Sequence, residues 1–173
     1  MIRFASERLT RALWDEAMPL LEAHWKEVAF YDDIPLSPDW NVYASAAEAG
    51  NVIVFTARKD FVGTMVGAKA MRFDNGVLVG YALYFVKHAP HYQNSYQASQ
   101  DVIYLDPSVR GRTGMRFIQY ADNELQDLGV QVVFQHAKVD HPALGRVLEK
   151  LGYEKQDVIY SKRLDVNSSP GSF

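Results

Sequence analysis

The chain has 173 residues and a net charge of −3, from 18 Lys and Arg against 21 Asp and Glu. That length makes one domain the default and is enough for a sizeable core, while the negative balance argues against nucleic-acid binding by bulk electrostatics. With no cysteine, disulfides, Cys-type zinc sites and a cysteine nucleophile are all excluded.

In chain order, Ile2 to Phe4 reads as a short strand. The opening segment lacks the apolar run of a signal peptide, no stretch reaches membrane-span length, and a cytoplasmic protein is expected. Apolar residues Leu9, Leu13, Met18, Leu21 and Trp25 predict a long amphipathic helix from Ser6–Glu7 to about Val28. Tyr31 to Asp39 holds two prolines and reads as a loop, followed by a second helix from Val42 to Ala49, closed by Gly50. Val52 to Ala57 is β-branched and predicts a strand, with Arg58 to Asp60 as its turn.

Gly63 to Phe73 reads as a further strand region, and Asp74-Asn75-Gly76 is a hairpin signal leading into a strand from Val77 to Val86. The polar and aromatic run His88 to Gln100 reads as a long hairpin loop. A strand from Val102 to Leu105, a helix from Arg112 to Leu128 capped by Gly129, and a strand from Val130 to His136 follow. Pro142 to Leu151 is a helix, and Glu154 to Leu164 the last strand. Residues 1–164 are expected to form one domain, and residues 165–173 a disordered tail.

The richest stretch is Asp101 to Ile118. A strand runs through Asp106-Pro107 into Arg110-Gly111-Arg112-Thr113-Gly114, and then into a helix near Met115. Such a turn leaves backbone N–H groups pointing one way, which suits a phosphate or pyrophosphate. Similar turns also occur in α/β proteins that bind nothing there.

This turn, with Leu148-Glu149-Lys150-Leu151-Gly152-Tyr153 further on, resembles the two linked motifs of the GCN5-related N-acetyltransferase (GNAT) family. The segment from His24-Trp25-Lys26-Glu27 to Ile34-Pro35-Leu36 is similar to that of small phage-encoded members. The resemblance implies an α/β fold: a mixed, mostly antiparallel sheet that splays at its centre, flanked by helices on both faces. It implies acetyl-coenzyme A (acetyl-CoA) as cofactor, bound by Val102, Ile103, Tyr104 and Leu105 and by Arg110, Gly111, Arg112, Thr113, Gly114 and Met115. Asp101 falls where related enzymes carry a glutamate and is the candidate general base, although a strand-edge cap or salt-bridge role is the alternative. Leu148 occupies the position of the family's proton-donating tyrosine, so the acid role is lost, taken by water or moved to another group; Tyr104, Tyr153 and Tyr160 are the candidates, with Tyr104 preferred.

Asp32 and Asp33 either draw in a cationic acceptor or form a solvated turn. His24, His88 and Tyr92 are the other candidate acceptor contacts, the last two on a loop expected to overhang the cleft. No histidine pair has metal-ligand spacing, so no metal is expected. The expected partner is a small-molecule or protein amine; a homodimer is compatible. The implied activity is N-acetyl transfer, and the competing reading is a binding protein that keeps the fold and has lost efficient chemistry.

Overall fold

The computed structural model describes residues 1–59, 63–66, 70–73 and 76–165. A five-stranded sheet runs in the order β1 (Ile2–Glu7), β2 (Val52–Lys59), β5 (Val77–Ala89), β6 (Tyr92–Leu105), β7 (Val132–Phe134). Neighbours are antiparallel except β6 and β7, which are parallel and pair only at Gln97–Ser99 with Val132–Phe134. β3 (Gly63–Val66) and β4 (Ala70–Phe73) pair with each other as a separate antiparallel ribbon. The predicted single strand over 63–73 is therefore two; Asp60, Asp74 and Asn75 lie outside the described residues.

Helices cover both faces. α1 (Arg11–Val28) and α2 (Trp40–Glu48) lie on one, where Leu13 packs with Val54, Leu78 and Leu83. α3 (Arg112–Asp127) lies on the other, burying Phe117, Ile118, Ala121 and Leu125. The set recurs at helical spacing, and Phe117, Ala121 and Leu125 meet Phe55, Ala82, Tyr84 and Ala98 of the sheet. α4 (Pro142–Lys150) follows β7 and buries Leu148.

Several boundaries differ from expectation. Ser6 and Glu7 pair with Phe55 and Val54 in β1, so α1 starts later, at Arg11, where the Thr10 hydroxyl accepts from Leu13 N at 3.2 Å. Arg58 is not in a turn. It sits in β2 with its side chain 4% exposed, bonded to Glu7 of β1 at 2.8 Å and Glu16 of α1 at 2.7 Å.

The expected loop from His88 to Gln100 is strand, the hairpin turning at Pro90–His91. Its polar side chains serve the sheet edge: Gln100 Oε1 accepts from His136 N at 2.9 Å, and Gln131 Oε1 accepts from Tyr96 N at 3.0 Å. β7 is accordingly shorter than the predicted 130–136. The expected last strand, 154–164, makes no strand pairing among the described residues. Its end is held by the loop after α1 instead: Tyr31 Oη lies 2.9 Å from Ser161 Oγ, and Arg163 grips Asp33 at 2.9 Å.

Candidate active site

β6 carries an extra residue. Leu83 pairs with Val102 and Tyr84 with Gln100, so Asp101 has no partner on β5 and forms a β-bulge. Before it, Ala98 packs on the α3 side; after it, Ile103 and Leu105 do, while Val102 packs with the α1 cluster. The bulge thus reverses the alternation and turns Tyr104 toward α1. Beyond Ser99, β7 no longer pairs with β6, so the edge of β6 from Asp101 to Leu105 faces the opening between the two strands.

Asp101 is exposed and accepts a hydrogen bond from Tyr43 Oη at 2.9 Å. Burial and then the Asp101 charge hold the Tyr43 hydroxyl well above its ordinary pKa, so it stays a donor. Tyr81 is the cross-strand partner of Tyr104. Burial, then the neighbouring Tyr43, Asp101 and Tyr104, raise the Tyr81 pKa as well.

Tyr104 is 6% exposed, with the His24 ring 5.1 Å away and the Arg110 guanidinium 5.3 Å from its ring centre. Burial holds His24 below the ordinary histidine value. Glu27 opposes that, while Arg110, Lys138 and His141 reinforce it. At neutral pH the imidazole is uncharged and can take a proton. Gly80 lets the strands close here, since a Cβ on it would lie 2.8 Å from the Tyr104 carbonyl oxygen.

The glycine turn follows. Arg110 donates from Nε to the Leu105 carbonyl at 2.9 Å and clasps Glu27 with both terminal nitrogens, at 2.8 and 2.6 Å. It ties α1 to the end of β6, and its guanidinium is already engaged where a free phosphate ligand was expected. Gly111, at φ 86° and ψ −125°, precedes the first helical residue, Arg112. The helix thus starts three residues before Met115, and Thr113, Gly114 and Met115 lie in its first turns. Arg112 and Thr113 offer N–H groups with no acceptor four residues back in the helix. A Cβ on Gly111 would meet nothing within 4 Å, whereas one on Gly114 would face Leu105 Cδ1 at 3.7 Å. Gly114 points at the core, so Gly111 is the glycine that leaves the approach open.

The remaining candidates are dispersed. His88 and Tyr92 stand exposed near the β5–β6 hairpin tip. His88 is five residues along β5 from the partner of Val102, or about 17 Å from the bulge. Asp32 is exposed, and Asp33 is engaged by Arg163. Tyr153 is engaged elsewhere, donating to Asp122 at 2.5 Å, and Tyr160 is 90% exposed.

Sequence reasoning missed Tyr43, Tyr81 and Glu27. The first two are placed by strand register and by the packing of α2, which leave no local signal; Glu27 lay inside a noted segment without a role.

Asp101 borders two spaces. One is a cleft of about 720 Å³ that includes Ser99, Gln100, Phe134 and His136 on its walls. The other is a cavity of about 70 Å³ between α1 and the sheet.

No protein-family model matches the chain, and no curated protein sequence does. Solved structures do. An aminoglycoside acetyltransferase from an uncultured soil metagenomic sample, solved with sisomicin, is 20% identical over 94% of this chain and 96% of its own, with a TM-score of 0.65. A ribosomal-protein-alanine N-acetyltransferase from Brucella melitensis is 16% identical over 94% and 97%, with a TM-score of 0.67. A predicted acetyltransferase from Clostridium acetobutylicum, solved with acetyl-CoA, is 15% identical over 95% and 97%, with a TM-score of 0.59. The bulged β6, the divergence of β7 and the glycine turn leading into α3 belong to a chain that has the GNAT acetyltransferase fold.

Proposed function

We propose that the chain is an acetyl-CoA-dependent N-acetyltransferase acting on a primary amine. The observation that carries this reading is the fork between β6 and β7, with the Asp101 carboxylate at its bulge and an open glycine turn beyond its end. Two features fit the cofactor. The Gly111 approach and the Arg112 and Thr113 N–H groups suit a pyrophosphate, with exposed Arg112 adding charge. The edge of Val102 to Leu105, which β7 leaves without a strand partner, suits an amide-bearing pantetheine arm. Bound there, acetyl-CoA would supply an activated acyl group.

Asp101, directly or through water, takes the proton that the amine must lose before its nitrogen bonds to the acetyl carbon. The departing thiol would need a proton; Tyr104, with the His24 ring 5.1 Å away, is our candidate donor, and the proton that the amine gives up to Asp101 balances the one it supplies. Tyr43 holds the Asp101 carboxylate in position. The Arg110–Glu27 pair fixes the end of β6 against α1 and does not serve as the main phosphate ligand.

The reading as a binding protein with weak chemistry draws on buried Leu148, which cannot donate a proton. Calorimetric titration with acetyl-CoA, followed by thiol release in the presence of mixed primary amines, separates the two. Binding with amine-dependent thiol release supports transfer, binding without it supports the weak-chemistry reading, and no binding overturns transfer and leaves a binding protein that keeps the fold without coenzyme A.

A further inference from the structure

We propose that the cavity beneath Asp101 receives the body of the acceptor, and that the acceptor is a primary amine with a compact apolar chain bearing one hydrogen-bond acceptor. The inference rests on the transfer reading and narrows it, away from an acceptor whose further positive charges would be drawn in by Asp32 and Asp33.

The cavity walls are aliphatic and aromatic: Leu13, Trp14, Ala17 and Met18 come from α1, and Leu83 and Val102 from the sheet. Such a surface offers nothing to a second ammonium or to a ring of hydroxyls, which would lose water there without recompense. Its volume of about 70 Å³ has room for roughly five heavy atoms, at ~10–15 Å³ each.

One polar group is out of keeping with these walls. Tyr81 lines the cavity, is 6% exposed, and its hydroxyl has no hydrogen-bond partner among the described residues. Buried hydroxyls in folded proteins are nearly always bonded, and one that is not calls for a partner. An ether or carbonyl oxygen on the entering chain would accept from it. The hydroxyl of Tyr43, the other tyrosine on the wall, is already given to Asp101.

The position of Asp101 orients the ligand. It is the one described residue that lines both the cavity and the large cleft. An ammonium at this carboxylate has its chain in the cavity and its nitrogen facing the fork. A longer acyl chain on the thioester could fill the same apolar space, but it has no use for a carboxylate at the entrance, so the amine is the occupant that uses every group present.

The test measures kcat/KM with acetyl-CoA for 3-methoxypropylamine, isoamylamine, ethylamine and spermidine, together with direct calorimetric binding of 3-methoxypropylamine. The wild type should prefer the two compact chains over ethylamine and spermidine by about tenfold or more, since each buried methylene adds a similar small increment. Tyr81→Phe should lose the preference for the ether over the hydrocarbon, a change of about two- to tenfold. Ala17→Leu, which adds carbons to the wall, should erase the discrimination between isoamylamine and ethylamine.

Preference for spermidine overturns the proposal. So does an Ala17→Leu variant that changes the choice between acetyl and valeryl thioesters while leaving amine discrimination intact, because the cavity would then hold the acyl chain. Failure of 3-methoxypropylamine to bind overturns it as well. If that amine binds, loses affinity in Ala17→Leu, and is never acetylated, the cavity assignment stands and the transfer reading fails.

Discussion

Two glycines three residues apart decide between an anion site at the turn before α3 and one inside its first turn. Gly111 sits at φ 86° and ψ −125°, a region that residues with a Cβ occupy only under strain of about 1–3 kcal/mol. Gly111→Ala must either hold the turn and lose that much stability, or relax the turn and withdraw the N–H groups from the phosphate. The two losses share one source, so the fall in unfolding free energy and the fall in binding free energy should together reach about 1–3 kcal/mol. Carried wholly by binding, this is a weakening of roughly 5- to 150-fold.

Gly114→Ala should behave in the opposite way. Its Cβ would stand 3.7 Å from Leu105 Cδ1, an ordinary contact. Alanine is favoured over glycine inside a helix by up to ~1 kcal/mol, equivalent to about 2–4 °C in Tm at this chain length. Acetyl-CoA binding should persist. Calorimetry and thermal unfolding of both variants give the four numbers needed. Loss of binding in Gly114→Ala, with Gly111→Ala unchanged in both affinity and Tm, would refute the register and the claim that Gly111 keeps the approach open.

Asp101→Asn retains an oxygen to accept from Tyr43 and should fold normally; turnover should fall by ~10²–10⁴ with acetyl-CoA affinity unchanged, as measured by steady-state thiol release and calorimetry. Arg58→Met leaves Glu7 and Glu16 without their shared partner, and because both carboxylates are partly solvated the loss should be ~2 kcal/mol, below the ~3–5 kcal/mol of fully buried-pair removals, as read by urea unfolding. The His24 pKa is depressed in the fold, so its contribution to stability is complete above the ordinary histidine value of ~6.5 and is lost as pH falls through the lower folded value. His24→Asn should therefore flatten the decline of Tm on mild acidification.

The strand–turn–helix stretch around Arg110 was legible because it is local: the glycines, the charge and the helical period lie within one short run. α3 followed from its amphipathic pattern and Gly129, and α4 from Pro142 at its start and Gly152 at its end, for the same reason. What could not be read was decided by partners distant in sequence. Tyr92 to Gln100 looks like a loop because its side chains are polar, yet Gln100 and Tyr96 use those polar groups and backbone positions to bond across to His136 and Gln131. Arg58 looks like a turn residue until Glu7 and Glu16 are brought to it from β1 and α1. Arg110 looks like a free phosphate ligand until α1 delivers Glu27. Asp101 was found from its place before a strand, but its role as the bulge, which turns Tyr104 toward His24, depends on the register of β5 against β6.

The fate of the acetyl group is the most direct test of N-acetyl transfer at Asp101. The protein is incubated with carbon-13-labelled acetyl-CoA and a mixture of primary amines, and the products are resolved by mass spectrometry. The labelled acetyl should appear on an amine nitrogen in an amount matching the coenzyme A thiol released, with sharply less of both for Asp101→Asn. Labelled acetate with no acetylated amine, or intact acetyl-CoA after prolonged incubation, would contradict transfer.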